Sequence, residues 1–505
     1  MRKMLKIQNN IIRKQPKIWN NCLFHPTDAV EDPWGRRILD RMAFDGAIQT
    51  VRIYTMFEDI VYMDENGKLQ YDFRLSDLRL DYLVKKGYDL ILAYGGMPDC
   101  VASSTKNLSS VAKGKTRYKG KMWNSAPPRD YALWEEICYE YTKHIVKRYG
   151  IEKVSNWHCQ CFNEPDVHLF FLSEYPGERE EDWPTPIRCE AYCKLYEAFE
   201  KGVRRASERI RIGGPALGFS TKFLEQFLDY IKENNLKMDY IALHNYGELW
   251  PDMLRDGVKK FTVANNMEVQ EKYMKIIREH GFGNVEIVMD EWGACAQGFS
   301  NMEECPSLTF RETEIFSSFY AKFIYELVRS KTKISKLMIC LSGQHEMLQD
   351  FTGFRNFFTL NFIAKPIYNA HIMTSKMEEN LLTAETDTES LFAVPTKNDK
   401  GDYAVLLTYA SECFEEDLPQ IEETITFEED ITGKKVTVWC IDKNTTNPYR
   451  LYQKMGIEEP SEEDILLLRQ EGDMKPVKEY IYSEAEGIKL NLTSNATYLI
   501  QVTEV

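Results

Sequence analysis

Through about residue 370, short runs of apolar, β-prone residues alternate with longer stretches in which apolar residues recur at helical spacing. There are eight such runs, at 18–24, 50–57, 89–95, 157–162, 210–215, 239–245, 286–292 and 336–342. Eight strand-plus-helix units in roughly 350 residues are typical of a (β/α)8 TIM barrel. A doubly wound sheet is the rival architecture, but no glycine-rich phosphate-binding motif follows the first run. The pattern therefore predicts an α/β fold built on a closed barrel.

After residue 377 the pattern changes to short alternating runs, at 403–408, 435–441, 487–492 and 497–502, separated by turn-rich segments. Such runs are typical of a β-sandwich. Residues 1–15 precede the first barrel run, and we expect them to add a strand to that sandwich. The predicted domains are thus an N-terminal strand in 1–15, a (β/α)8 barrel in 16–376 and a sandwich in 377–505.

Charge and composition exclude several classes of function. Acidic residues outnumber basic ones by 78 to 63, and the net charge of −15 would repel a phosphate backbone, so we expect no nucleic-acid partner. No window approaches the roughly 18 apolar residues of a membrane helix, and the basic N-terminus lacks the apolar core of a secretion signal. We therefore expect no membrane partner and a cytoplasmic location. The 12 scattered cysteines are expected to be reduced thiols, and no ligand spacing indicates a metal or other cofactor.

Barrel enzymes carry their reactive groups at the carboxyl ends of the strands, and two of these ends carry glutamates. Glu164 follows the fourth run and Glu291 ends the seventh. Across a barrel mouth, two carboxyl groups can lie about 5 to 5.5 Å apart, the spacing at which one attacks a sugar while the other protonates the leaving oxygen. The pair predicts a retaining glycosidase. We expect Asp290 to point to the other side of an alternating strand, which makes it the weaker candidate for the nucleophile.

Four other polar residues at strand ends complete a coherent set. Asn163, directly before Glu164, is suited to hydrogen-bond a sugar 2-OH. Arg52, near the end of the second run, offers a cation that keeps a carboxylate ionised. His244 and Tyr246 follow the sixth run and can position a nucleophile or hold hydroxyl groups.

These motifs resemble one known family. Asn163-Glu164-Pro165 on the fourth strand, with a glutamate and then Trp292 on the seventh, is similar to the barrel clan of retaining glycoside hydrolases. Within that clan the chain resembles glycoside hydrolase family 39, the β-xylosidase and α-L-iduronidase family. The resemblance includes the stretches 127–150, 365–373 and 447–450, so it covers nearly the whole chain.

The resemblance implies roles for individual residues. It makes Glu164 the acid/base and Glu291 the nucleophile. Further candidates for substrate contact are Tyr54, Trp292 and, in the loop after the eighth run, Glu346. The sugar-contacting shell departs from the family, because Tyr54 stands where members typically have a histidine. The resemblance therefore implies the catalytic pair but not the identity of the substrate.

We expect a retaining exo-glycosidase that removes terminal β-xylosyl or related pentosyl residues from oligosaccharides. One alternative is another sugar, such as an α-L-arabinopyranoside or a uronide whose carboxylate Arg355 or His345 would bind. A less favoured alternative is a sugar-binding barrel without catalysis. Three loop tryptophans are candidate sugar platforms: Trp123, Trp183 and Trp250. The acidic loop 174–182 is expected to rim the cleft, and assembly into a homo-oligomer stays open.

Overall fold

The computed structural model describes residues 3–106, 108–109, 123–172, 185–296, 298, 300–343, 347, 349–483 and 487–505. In the first part of the chain the strands are β1 (Lys3–Lys14), β2 (Asn21–Phe24), β3 (Thr50–Tyr54), β4 (Val61–Met63), β5 (Leu69–Tyr71), β6 (Asp89–Tyr94), β7 (Leu108–Ser109), β8 (Trp123–Asn124), β9 (His158–Cys161), β10 (Arg211–Leu217), β11 (Tyr240–Asn245), β12 (Glu286–Trp292) and β13 (Ile334–Leu341). The helices of this part are α1 (Pro26–Ala29), α2 (Pro33–Asp45), α3 (Arg74–Lys85), α4 (Tyr131–Tyr149), α5 (Ile151–Val154), α6 (Thr185–Ala206), α7 (Thr221–Glu233), α8 (Pro251–Arg255), α9 (Val263–Glu279), α10 (Glu314–Arg329) and α11 (Pro366–Ser375). Two short 3-10 helices, Phe57–Asp59 and Pro306–Glu312, lie between them.

Eight parallel strands close into a barrel, in the order β10-β11-β12-β13-β2-β3-β6-β9. Each of the eight predicted runs overlaps one of these strands, so the predicted TIM barrel is confirmed. Consecutive barrel strands are joined by segments that contain helices, and this keeps all eight strands parallel and brings their carboxyl ends to one face.

The barrel interior is filled by side chains that alternate inward along the strands. Six fully buried residues form this inner cluster: Ile91, Ala216, Tyr240, Ala242, Val288 and Met338. The outer faces of the strands pack against the helices in a much larger apolar core. Capping side chains define where several helices begin, since Asp130 accepts a hydrogen bond from the Ala132 amide and Ser220 accepts one from the Phe223 amide.

The rest of the chain builds a second, curled sheet with a sandwich-like core. Its strands are β14 (Asn380–Thr386), β15 (Leu391–Lys397), β16 (Tyr403–Tyr409), β17 (Ile421–Phe427), β18 (Lys435–Ile441), β19 (Pro476–Ile481), β20 (Ile488–Leu492) and β21 (Ala496–Thr503). They form one nine-stranded sheet with β1, in the order β19-β18-β21-β16-β15-β14-β1-β17-β20. Strand β1 pairs antiparallel with β14 and parallel with β17.

Two helices that the sequence analysis did not predict, α12 (Pro448–Met455) and α13 (Glu462–Gly472), lie between β18 and β19. They fasten the second sheet to the barrel, because Asn447 at the start of α12 donates to the fully buried Glu314 of α10 at 2.7 Å. The Ser318 and Thr408 hydroxyls, 2.7 Å apart, join α10 to β16. All 12 cysteines are free thiols. None of the helices in the part of the chain that the structure describes is both long and apolar enough to cross a membrane.

Candidate active site

Glu164 lies directly after β9, at the carboxyl face of the barrel, with an unusual backbone conformation. Its φ angle of 43° lies in the left-handed region, which costs a non-glycine residue of the order of 1 kcal/mol or more. The neighbouring strand holds this conformation, because the Glu164 amide donates to the carbonyl of Ala216 at 3.0 Å. Strained backbone of this kind concentrates at functional sites, where the surroundings fix a side chain in one direction.

A register shift in β12 directs Glu291 to the same place. Leu243 of β11 pairs with Met289, and the next residue, His244, pairs with Glu291, so Asp290 is the extra residue of a bulge. The bulge turns both acidic side chains towards the barrel interior. The expectation that Asp290 points to the other side of the strand is therefore wrong. Asp290 is fully buried beneath Glu291 and does not line the cavity.

Arg52 of β3 joins the acidic groups of the barrel interior. Its guanidinium lies 2.8 Å from Glu291 through Nη1 and 3.0 Å from Asp290 through Nε. The third nitrogen, Nη2, donates to Asn163 Oδ1 at 2.6 Å. Arg52 has no exposed surface, so a single buried cation compensates two buried carboxylates and orients the asparagine beside Glu164.

His244 lies between the two glutamates. Its Nδ1 is 2.7 Å from Glu164 Oε1, and its Nε2 is 3.6 Å from Asp290 and 3.7 Å from Glu291. Burial by itself lowers the pKa of this imidazole, but the charges of Glu291 and Asp290 outweigh burial and raise the pKa well above its usual value.

One oxygen of Glu164, one nitrogen of His244 and one oxygen of Glu291 lie within 4.8 Å of one another. A metal ligand must offer a lone pair, and an imidazole with a raised pKa is protonated and donates through both nitrogens. The set therefore fits a hydrogen-bonded acid–base arrangement better than a metal centre.

Two tyrosines contact Glu291 from opposite sides. The Tyr246 hydroxyl donates to Oε2 at 2.8 Å, and the Tyr54 hydroxyl lies 3.5 Å from Oε1. Burial raises the pKa of both phenols, so both stay protonated and can donate. The Tyr246 oxygen also accepts a hydrogen bond from Arg355 Nη1 at 2.9 Å, which links the loop after β13 to Glu291.

The two glutamates titrate in opposite directions. Burial raises the pKa of Glu164, and the charge of Glu291 raises it further, although His244 opposes both. Burial also favours a raised pKa at Glu291, but the charges of His244 and Arg52 outweigh it and lower that pKa to about 2. Near neutrality Glu291 is ionised, whereas Glu164 is the group that holds a proton more readily. This division suits one acid and one nucleophile.

All of these groups except Arg52 and Asp290 open into one cavity of about 710 Å³. Its lining includes Tyr54, Asn163, Glu164, His244, Tyr246, Glu291 and Arg355. The volume is in the range of sites that hold a small organic ligand.

Comparison with known proteins identifies the family to which the chain belongs. The model of the family described as "Glycosyl hydrolases family 39" matches residues 3–487. The chain belongs to glycosyl hydrolases family 39. The resemblance seen in its motifs is confirmed, the protein is a glycoside hydrolase, and its substrate is a carbohydrate.

The relatives of this family 39 chain include two named activities. The "Beta-xylosidase" of Caldicellulosiruptor saccharolyticus is 24% identical over 470 residues, which are 90% of this chain and 88% of that protein. The "Alpha-L-iduronidase" of Canis lupus familiaris is 26% identical over 219 residues, 40% of this chain and 28% of that protein. Among solved structures, a monomeric beta-xylosidase from Caulobacter crescentus CB15 superimposes with a TM-score of 0.81 at 16% identity, and each chain is covered completely. At that identity the likeness shows the fold alone.

Trp292 is the predicted site residue of this family 39 chain that the structure places elsewhere. After the bulge at Asp290, the Trp292 side chain points out of the barrel and has no exposed surface. It stacks on Tyr320 of α10, with ring centroids 5.5 Å apart and planes 12° apart. The prediction that it contacts substrate is wrong, because neighbouring residues of a strand point to opposite sides and Glu291, directly before it, points into the barrel.

Of the site residues predicted in loops, one tryptophan lines the cavity and several others lie outside the described residues. Trp250 lines the cavity, with 39% of its surface exposed. Glu346, His345, Trp183 and the loop 174–182 lie outside the described residues, and so does the side chain of Trp123.

His25 and Phe219 are examples of cavity residues that the sequence analysis missed. His25 directly follows β2, so the rule that selected the last polar residue of each run would have selected it. Phe219 lies two residues after β10 and carries no polar group that would mark it.

Proposed function

We propose that the protein is a retaining exo-glycosidase that removes terminal β-xylosyl residues from oligosaccharides through a covalent glycosyl-enzyme intermediate. The observation that carries the proposal is the pair Glu164 and Glu291, with oxygens within 4.8 Å of each other and pKa values displaced in opposite directions. An inverting enzyme needs about 6.5–9.5 Å between its carboxyl groups to admit a water, so oxygens within 4.8 Å of each other favour the retaining mechanism.

In the first step, Glu291 attacks the anomeric carbon while Glu164 gives its proton to the leaving oxygen. The anionic oxygens of Glu291 are held in place by Arg52 and Tyr246 at 2.8 Å each, so the nucleophile does not reorganise as the bond forms. A sugar ester of Glu291 results.

In the second step, Glu164 has lost its proton and acts as a base on a water molecule, which attacks the same carbon. His244, hydrogen-bonded to Glu164 at 2.7 Å, stabilises the carboxylate that forms between the two steps. The Asn163 carbonyl oxygen accepts from Arg52, which leaves the amide nitrogen to donate to the sugar 2-OH.

The xylosyl preference rests on the named relatives, since the long match is to a protein named as a beta-xylosidase. A uronide is the second candidate, and a specific observation favours it. Arg355 lines the cavity next to Tyr246, where a guanidinium can bind a sugar carboxylate in a bidentate manner.

The test is hydrolysis of nitrophenyl glycosides of β-xylose, α-L-arabinopyranose, β-glucuronate and β-galactose, together with an α-L-iduronide. We expect turnover on the β-xyloside and a loss of at least about 10³-fold in kcat for Glu291→Gln. Glu271→Gln is a matched control, because Glu271 lies on the exposed face of α9. Faster turnover of a uronide would replace the xylosyl assignment, and full activity of Glu291→Gln would remove its role as nucleophile.

A further inference from the structure

Large apolar side chains are concentrated on one side of the cavity. They come after β9, β10 and β11 and are Val167, Leu169, Phe170, Phe219, Trp250 and Met253. On the side of β2, β3 and β13 the cavity is lined by the polar residues His25, Tyr54 and Arg355, together with Leu23 and Leu341. Since β9, β10 and β11 are neighbours in the barrel, the apolar residues that follow them form one continuous wall.

The apolar wall is on the side of the acid. Glu164 follows β9, and Val167, Leu169 and Phe170 come directly after it in the chain. Since the acid protonates the leaving oxygen, the group attached to that oxygen extends past Glu164 onto this wall. The sugar that forms the covalent bond lies instead between Glu164 and Glu291.

The wall is held rigidly by backbone contacts. The buried Asp166 carboxylate accepts hydrogen bonds from the amides of Gly218, Phe219 and Ser220, at 2.8, 2.8 and 2.9 Å. A side chain at Gly218 would meet Val167 at 2.7 Å, so the loops after β9 and β10 touch closely. A preformed apolar surface binds an apolar ligand without a further ordering cost.

Polar groups at the edge of the wall are engaged with the protein itself. Lys272 pairs with Glu248 at 2.8 Å, and Lys259 donates to the carbonyl of Gly247 at 3.0 Å. A second sugar could stack on the Trp250 ring, but it would also need hydroxyl partners at this position. Leu169 and Trp250, which are 37% and 39% exposed, offer apolar surface to an alkyl or aryl group. Exposed apolar surface that adjoins a polar site is characteristic of ligand binding.

We propose that this wall is a leaving-group subsite for an alkyl or aryl aglycone, so that the preferred substrates are glycosides of apolar alcohols or phenols rather than oligosaccharides. The inference rests on the proposed function for the direction in which the leaving group points. It replaces the oligosaccharide of the proposed function with a glycoside that carries an apolar aglycone, and it leaves the sugar that is removed unchanged.

The test compares methyl and hexyl glycosides of the sugar that the enzyme hydrolyses, together with the corresponding disaccharide. Methanol and hexanol are similarly poor leaving groups, so a difference in kcat/KM reports binding on the wall. With each methylene about half buried, we expect a gain of about twofold per methylene, or roughly 30-fold between the two glycosides. Equal kcat/KM values, or a disaccharide hydrolysed more than about tenfold faster than the hexyl glycoside, would overturn the proposal.

Variants show whether the named residues cause the preference. Trp250→Ala and Leu169→Asn are each expected to lower the hexyl-to-methyl ratio by about fivefold or more, and the second change alters a partly exposed side chain with little packing to lose. Phe44→Ala is the control, because Phe44 is 87% exposed on α2 outside the cavity and its loss is expected to leave the ratio unchanged. Unchanged ratios in both wall variants would overturn the assignment.

A binding measurement separates this proposal from the proposed function. Calorimetry of hexyl and methyl thioglycosides, which are not hydrolysed, is carried out on the Glu291→Gln variant. Tighter binding of the hexyl compound, weakened by Trp250→Ala, supports the subsite even if no glycoside is cleaved. Hydrolysis without any hexyl preference would retain the proposed function and reject the subsite.

Discussion

Replacing Tyr246 by phenylalanine removes the hydroxyl that donates to Glu291 Oε2 at 2.8 Å and leaves the ring in place. A hydrogen bond to a charged acceptor contributes about 1.5–3 kcal/mol, and one pKa unit corresponds to about 1.4 kcal/mol. The pKa of Glu291, about 2 in the native protein, is therefore expected to rise by roughly one to two units.

The sign of the effect on activity follows from the role of Glu291. Its carboxylate must be ionised to attack the sugar, so kcat/KM falls when the pH drops below its pKa. Tyr246→Phe is thus expected to move the acid limb of the kcat/KM profile upwards, to about pH 3–4. The basic limb reflects loss of the proton from Glu164 and is expected to move much less.

Tyr54→Phe is the matched control, since it makes the same chemical change at the other oxygen of Glu291. Its hydroxyl lies 3.5 Å from Oε1, where a hydrogen bond is weak, so the acid limb is expected to shift by less than about half a unit. The assay is the pH dependence of kcat/KM on a nitrophenyl glycoside, with circular dichroism to show that each variant stays folded at low pH. Equal shifts in the two variants, or a larger shift in Tyr54→Phe, would refute the assigned hydrogen bonds.

Three further outcomes are expected. Glu164→Gln is predicted to lower kcat/KM by about 10²–10⁴-fold on an alkyl glycoside. The loss is expected to be smaller on a nitrophenyl glycoside, because nitrophenolate leaves with little protonation. Steady-state kinetics on both substrates measures the two losses, and equal losses would contradict the acid role. Lys365→Met removes the cation that lies 2.6 Å from the buried Glu312 and is predicted to destabilise the fold by about 3–5 kcal/mol, against less than about 1 kcal/mol for the exposed Lys443→Met, as measured by urea denaturation. Similar losses in the two variants would contradict the difference in burial. Because His244 is protonated and donates to its neighbours, dialysis against EDTA is predicted to leave kcat/KM unchanged, and loss of activity that zinc restores would contradict this.

The barrel could be predicted because its strands have a strong local signal. Each apolar run is bounded by helical periodicity, so the runs at 286–292 and 239–245 locate β12 and β11 to within a residue. The meeting of Glu164 and Glu291 at one face of the barrel follows from the same signal, because parallel strands bring their carboxyl ends together. In the second sheet, β14, β15, β17 and β19 were not predicted, since their alternation is weaker and is set by packing against neighbouring strands.

The details of the site depend on features that sequence periodicity does not contain. The bulge at Asp290 turns Asp290 and Glu291 to the same side of β12, and only pairing with β11 reveals it. The contact between Arg355 and Tyr246 joins residues 109 positions apart, from two loops whose courses are set by tertiary packing. Trp250 was selected from the sequence as a candidate sugar platform, but Phe219 has no polar signature, so the wall as a whole emerges only from the structure of the cavity.

The central claim is that Glu291 forms a covalent bond to the sugar. With a 2-deoxy-2-fluoro glycosyl fluoride of the preferred sugar as substrate, hydrolysis of the glycosyl-enzyme is slowed more than its formation. The intermediate therefore accumulates, and the labelled residue can be located by peptide mass spectrometry. The proposed mechanism predicts one equivalent of sugar per chain, attached to Glu291, and a released product that keeps its anomeric configuration in proton NMR. Label on Asp290, or no label together with product of inverted configuration, would contradict it.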